Sequence, residues 1–367
     1  MNFEFGEEQT LVRDQARGFL AEHCPPAVVR QVLEGDELYA AQLWQKIAEM
    51  GWTATVIPEE FGGLGLSYLE LVVIAEELGR ACAPVPFASS VYLATEALML
   101  AGSQEQKEAW LPQLASGEVI GAFAYAEGGG QTDAGNLAAR VSEGKLSGTK
   151  VVVADAQIAN FIVVAAQGDN GPAMYVVPTD QPGVAMHAVK TLDPACNHAD
   201  VVFDGAQAQL LGLDGDGGTI LDAVLDRAAV MMAWEQLGGA ETCLEQAKNY
   251  AMGRYAFGRP IASYQAIKHK LADMYVYNTL ARSNGYYGAW ALNTNADELP
   301  LAAATARVGS TQAYYYASKE NIQTHGGMGY TWEFDCQFFY RRSKVLGVAL
   351  GSEGLWQQKL VDASDAA

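Results

Sequence analysis

Helical and strand spacings of hydrophobic residues alternate along the chain. In "GEEQTLVRDQARGFLAEHC", the residues Leu11, Val12, Ala16, Phe19 and Leu20 recur at intervals that place them near one helical face. "QLWQKIAEMGW", "YLELVVIAEELGRACA" and "VYLATEALMLAG" continue this spacing. "IPEEFGGLGLSY" interrupts it, because its proline and glycines forbid a regular helix. Beyond residue 120 the pattern changes to short runs rich in Val, Ile, Phe and Tyr: "GAFAYAE", "KVVVADA", "NFIVVAAQ", "AMYVVPTD" and "ADVVFDG". Turn residues such as "SEGK" and "GDNGP" separate them, which predicts a small antiparallel barrel or sandwich. After the flexible, acidic "GLDGDGG", the stretch from Thr219 to Gly258 holds about 40 residues without proline and predicts one or two long helices. The expected class is α+β: an N-terminal helical domain over 1–120, a middle β domain over 121–215, and a C-terminal four-helix bundle over 216–367.

Composition narrows the function. Half of the residues are hydrophobic and 18% are charged, as in a globular protein. A net charge of −20 argues against a nucleic-acid surface, which needs clustered Lys and Arg, but leaves room for a phosphate-bearing small ligand held by local donors. No apolar run approaches the ~18 residues of a membrane span. The start of the chain is acidic and lacks the basic segment and cleavage site of a signal peptide. Cys24, Cys82, Cys196, Cys243 and Cys336 are odd in number and form no CxxC, so reduced thiols in a cytoplasmic protein are expected. His23, His187, His198, His269 and His325 show no ligand spacing, so no metal site is expected.

Two segments carry candidate chemistry. In "RYAFGRPIASYQAIKHKLADM", Arg254 offers a planar fork of donors suited to a pyrophosphate. Phe257, three residues on and expected on the same helical face, offers an apolar surface to an adenine ring. In "QTHGGMGYTWE", Gln323 can donate to ribose or phosphate, and Gly326 and Gly327 let backbone N–H groups approach an anion. The plainer alternative is a surface ion-pair arginine and ordinary helix-capping glycines.

These two segments, together with the Gly-rich turn at "IPEEFGGLGLSY" and the order of helices, β domain and bundle, resemble the acyl-CoA dehydrogenase family over essentially the whole chain. The resemblance implies oxidation of an acyl-CoA thioester to the 2,3-enoyl-CoA. In the family a glutamate takes the α-proton, and the β-hydrogen leaves as hydride to N5 of a non-covalent FAD. It also implies that the Arg254 and Gln323 segments hold the adenine end of an FAD belonging to a neighbouring subunit, hence an oligomer. An electron-transferring flavoprotein is the implied acceptor.

The chain departs from the family pattern where the flavin ring and the base belong. The family motif Thr-Glu-Pro-x-Ala-Gly-Ser-Asp is matched by "AEGGGQTD": Glu127 and Asp133 are kept, Thr132 replaces the serine hydroxyl, and Ala126 replaces a flavin-bonding threonine. Lys-x-Trp-Ile-Thr is matched by "KVVVA", with Val152 at the tryptophan and Ala154 at the threonine. Counting from Arg341, the usual base position falls on Leu350. Glu353, three residues later, is the candidate displaced base; otherwise it is a surface or helix-cap carboxylate. An alternative base position on the first long helix is Ala228, beside Ala229. Glu235 shares that helical face, but two turns away, about 10 Å along the axis. Two readings follow: a self-sufficient homo-oligomeric dehydrogenase with a displaced base, or the auxiliary subunit of an α2β2 dehydrogenase that serves a flavin in its partner.

Overall fold

The computed structural model describes residues 5–128 and 134–366. The first helices are α1 (Glu7–His23), α2 (Pro26–Glu34), α3 (Ala41–Glu49) and α4 (Tyr68–Arg80). A π-helix (Ala88–Thr95) then runs into α5 (Glu96–Ala101), followed by α6 (Gln104–Ala115). The strands are β1 (Gly121–Ala124), β2 (Arg140–Ser142), β3 (Lys145–Ala154), β4 (Phe161–Gln167), β5 (Pro172–Pro178), β6 (Val184–Val189), β7 (His198–Gln207) and β8 (Gln209–Leu211). After them come α7 (Gly217–Gly253), a short hairpin of β9 (Tyr255–Ala256) and β10 (Arg259–Pro260), α8 (Gln265–Thr294), α9 (Leu299–His325), α10 (Cys336–Leu346) and α11 (Glu353–Ala366). The class is α+β, as the patterning predicts. By packing, the chain forms two compact units. One holds the stretch up to Arg30, Tyr68–Ala83 and the chain from Ala229; the other holds Gln31–Ser67 and Pro84–Ala228.

The second unit is built on one eight-stranded sheet in the order β6-β7-β3-β2-β4-β5-β8, with β1 also paired to β4. The pairing is antiparallel except for β1 with β4 and β2 with β4, which are parallel. A parallel pair needs a crossover rather than a hairpin; for β1 and β4 the intervening β2 and β3 supply it. Leu146, Ile162, Val164, Val177, Val201 and Phe203 fill the core on one face of the sheet. Phe161 and Val163, on the opposite face of β4, are buried too. That burial on both faces is why "FIVVAA" is continuously apolar instead of alternating. On β3 the register against β7 shifts between Lys150 and Val153. Val152 sits in that bulge at φ 52°, with half of its surface exposed.

The first unit is a helical bundle in which α9 packs against α8, α10 and α11, while α1 packs on α4. Two adjacent carboxylates of α4 organise it. Glu77 accepts from Arg17 of α1 at 2.7 and 3.0 Å, and Arg80 lies 3.6 Å from it. Glu76 accepts from Arg282 of α8 at 2.6 Å and from Arg13 of α1 at 3.4 Å. Both side chains are at most 3% exposed, so each charge is buried and compensated at once. Burial opposes the charge on Arg282, and Glu76 and Glu241 outweigh it, holding that guanidinium protonated. Glycines let the backbones of α4 and α7 touch: a Cβ on Gly79 would overlap the carbonyl of Glu235, and one on Gly238 would overlap the carbonyl of Glu76.

This close contact makes a testable contrast. Gly79→Ala and Gly238→Ala force two helix backbones apart and should each destabilise the protein by about 1–3 kcal/mol. Gly18, exposed in α1 with nothing near its missing Cβ, is the control. Gly18→Ala should raise stability by about 0.5–1 kcal/mol through helix propensity alone. Thermal melts of the three variants check both signs.

Candidate functional site

The segment around Arg254 is not helical. α7 stops at Gly253, where the Arg254 N–H still reaches the carbonyl of Tyr250 at 2.8 Å, and the chain then folds back as the β9–β10 hairpin. The shared helical face expected for Arg254 and Phe257 is therefore replaced by a turn. Phe257 and Gly258 occupy its centre at φ 51° and 80°, the two positive angles that a tight hairpin turn requires. Gly258 adopts such an angle freely, whereas a phenylalanine there costs about 1–2 kcal/mol. Arg254 is exposed, and the Phe257 ring is 98% exposed. The strained conformation thus holds a large aromatic ring out in water.

The second segment lies at the C-terminal end of α9. Gln323 is exposed on its last turn, and Gly326 ends the helix at φ 62°, its N–H donating to the carbonyl of Gln323. No atom lies within 4 Å of the missing Cβ of Gly326 or Gly327, so the backbone there stands open to approach. Tyr250 links the two segments: its carbonyl holds Arg254, and its ring packs 4.2 Å from that of His325. His325 is buried, which pushes its pKa below the usual value, although its Nδ1 contact with the carbonyl of Asn321 opposes the shift. Tyr264, which carries no obvious signal in the sequence, contacts both strands of the hairpin. The Tyr264 hydroxyl donates to the carbonyl of Ala256 at 2.9 Å, and the Arg259 guanidinium lies 4.1 Å over the Tyr264 ring.

On the sheet, Glu127 and Lys150 form a structural pair. The Lys150 side chain is fully buried and donates to Glu127 at 2.6 Å and to the carbonyl of Tyr125 at 3.2 Å. Glu127 also accepts from the backbone N–H groups of Ala138 and Ala139. Ala126 accepts from the N–H of Val151, and the N–H of Val152 donates to Asp200 at 2.8 Å. Val152 and Ala154 offer neither a ring nor a hydroxyl. Thr132 and Asp133 lie outside the described residues. An FAD adenine and pyrophosphate suit the exposed Arg254, the free Phe257 face and the open glycine backbone. The aliphatic positions 126, 152 and 154 give a flavin ring no side-chain donor.

The residues counted as candidate base positions have distinct surroundings. Leu350 is 1% exposed, and its carbonyl accepts the indole N–H of Trp356 at 3.0 Å. Just before it, the carbonyl of Leu346 accepts from the buried Arg307, which also donates to Gln236 at 2.7 Å. Glu353 begins α11 and accepts from Gln312 at 2.7 Å and Gln357 at 2.9 Å. Glu235 is buried, with Arg342 3.9 Å away. Ala228 and Ala229 are buried methyl groups. Among the described residues no cluster of three or more His, Cys, Asp or Glu could hold a metal ion, and no helix is long and apolar enough to cross a membrane.

The Glu127–Lys150 pair generates a pH prediction. Burial alone would raise the Glu127 pKa, but the Lys150 hydrogen bond and the two backbone donors outweigh it and hold the carboxyl below its ordinary 4.5. A depressed carboxyl pKa stabilises the fold fully above that ordinary value, and the contribution disappears as pH falls through the lowered native one. Glu127→Gln should therefore melt below the parent at pH 7, and the gap should narrow as the pH falls below 4.5 and close once it has passed through the lowered native pKa.

Comparison with known proteins gives the family. The family model for the acyl-CoA dehydrogenase N-terminal domain matches residues 6–118, and the one for the C-terminal domain matches residues 215–362. The chain is 32% identical over 338 residues to acyl-CoA dehydrogenase IpdE2 of Mycobacterium tuberculosis, covering 92% of this chain and 91% of that one. It superposes on a chain of the ChsE4-ChsE5 complex from Mycobacterium tuberculosis with a TM-score of 0.91 and 26% identity, over 100% of both chains. A chain of the Tcur3481-Tcur3483 steroid ACAD gives a TM-score of 0.90 and 28% identity over 98% of each. This chain belongs to the acyl-CoA dehydrogenase family of FAD-dependent oxidoreductases.

Proposed function

We propose that this chain serves acyl-CoA α,β-dehydrogenation as the non-base-carrying subunit of a two-component assembly. In this reading Arg254, Phe257, Gln323, Gly326 and Gly327 grip the adenine and pyrophosphate of an FAD seated in the partner subunit. FAD, when bound, accepts the hydride that leaves the β-carbon of the substrate. The α-proton needs a base, and Leu350 is the observation that carries the proposal. A buried leucine stands at the family's base position and cannot accept a proton. Glu353 is engaged by two glutamine amides, and Glu235 lies beside Arg342, which suits structural carboxylates. The exposed hairpin suits a ligand reached from outside the chain. Two solved neighbours are named as pairs of unlike chains, ChsE4-ChsE5 and Tcur3481-Tcur3483, which supports a heteromeric reading. The electron acceptor would be an electron-transferring flavoprotein, and the five free thiols suit the cytoplasm.

Cofactor stoichiometry tests this directly. Expressed alone, the chain should purify largely colourless; expressed with its partner, the assembly should hold about one FAD per two chains. A yellow homo-oligomer with one FAD per chain would sink the proposal and favour the self-sufficient enzyme. In the assembly, Arg254→Ala should weaken FAD binding by about 2–4 kcal/mol, or roughly 30- to 1000-fold. Unchanged flavin content would make Arg254 a plain surface charge.

The base is tested separately with a dye acceptor. Removing a true general base slows turnover by about 10²–10⁴-fold. Glu353→Gln and Glu235→Gln should each change turnover less than about threefold, within the scatter expected of structural carboxylates. Loss of turnover in Glu353→Gln would identify Glu353 as the displaced base.

A further inference from the structure

We propose that Tyr264 is a positioning residue for the flavin clamp. Its hydroxyl and ring hold the β9–β10 hairpin in the conformation that presents Arg254 and Phe257. The inference rests on the clamp reading above and adds a residue that reading does not need.

The hairpin cannot hold itself. It has two residue pairs, Ala256 with Arg259 and Tyr255 with Pro260, and the proline supplies no N–H. Isolated hairpins of greater length are only marginally stable in water. Its turn is also strained, since Phe257 sits at φ 51° with its ring in solvent and gains little packing in return. Left to itself, the turn would relax Phe257 toward an ordinary negative φ. Restraint must come from outside the two strands.

Tyr264 supplies it on both strands. Its hydroxyl donates to the carbonyl of Ala256 on β9 at 2.9 Å, and its ring lies 4.1 Å beneath the guanidinium of Arg259 on β10. The two residues it grips flank the Phe257–Gly258 turn directly. Tyr264 is itself fixed, because it is the N-cap of α8: its N–H reaches the carbonyl of Ile261 at 3.1 Å, and its own carbonyl accepts from Ile267 and Lys268. On the other side, the carbonyl of Arg254 accepts the N–H of Ile261 at 2.8 Å. The chain from Arg254 to Tyr264 is thereby closed into a braced loop between the end of α7 and the start of α8. A ligand that meets a pre-formed aromatic and arginine pair spends nothing on ordering them, and a ligand that meets a frayed hairpin binds only the fraction that is formed.

The test uses the flavin-loaded assembly as purified and follows FAD release by the rise of free-flavin fluorescence after dilution. Tyr264→Phe keeps the ring and removes only the hydroxyl bond, so it should speed release by about three- to tenfold. Tyr264→Leu removes both contacts and should speed it further. Melting temperatures should stay close to the parent, and hydrogen exchange should accelerate at the hairpin amides alone. Arg254→Ala is the reference for the clamp. If Arg254→Ala speeds release while both Tyr264 variants match the parent, the clamp stands and the brace is wrong. If Arg254→Ala leaves release unchanged, the clamp reading fails and the brace with it. If Tyr264→Phe lowers the melting temperature without changing release, Tyr264 is only a structural residue and the proposal is overturned.

Discussion

The helical unit depends on keeping two neighbouring carboxylates charged where water cannot reach them. Glu76 and Glu77 follow one another on α4, and successive residues on a helix point about 100° apart. One therefore meets Arg282 of α8 and the other Arg17 of α1. Removing Arg282 or Arg17 would leave each buried carboxylate with only its longer partner, Arg13 at 3.4 Å from Glu76 or Arg80 at 3.6 Å from Glu77, and so with weaker compensation. Replacing a whole pair by apolar residues would cost far less. What the arrangement supplies is registration: α1 and α8 can each meet α4 at only one height. The glycine contacts between α4 and α7 then become possible, because the helix is already held at the level where Gly79 and Gly238 face a partner backbone.

That registration fixes the ends of α7, α8 and α9, where the candidate site lies. α7 delivers the hairpin at its last residue, α9 delivers the open glycines at its last residue, and Tyr250 and His325 join the two ends. The candidate chemistry is therefore a property of helix termini. Bundle interiors supply only its coordinates. The sheet unit works differently, since its bulge at Val152 lies within β3 and the Glu127–Lys150 pair ties β3 to the segment that follows β1.

Much of this is legible in the sequence, where the determinants are local. The proline-free stretch that becomes the helix from Gly217 to Gly253, predicted as one or two long helices, and the Val- and Ile-rich strands are both readable from local sequence. Other features are hidden because their causes are distant or subtle. The parallel alignment of β1 with β4 depends on a crossover of more than thirty residues. "RYAFGRP" reads on paper as the continuation of a helix, since no proline lies between Thr219 and Pro260. The signal for the hairpin is the pair of glycines, Gly253 and Gly258, that bracket Arg254 to Phe257. "VYLATEALML" gives no warning of its π-helical start. Glu127 and Lys150 are readable as residues but not as partners, because the contact joins positions 23 residues apart in the chain.

Phe257 carries a thermodynamic consequence of its own. A phenylalanine held in open water represents apolar burial that the folded chain has not yet taken up, on the order of 1.5–3 kcal/mol. That free energy is released to the first surface that covers the ring. It corresponds to roughly a ten- to hundredfold gain in association constant, concentrated in a single side chain. At this point the uncovered chain is adhesive, and whichever neighbour covers the ring collects that free energy.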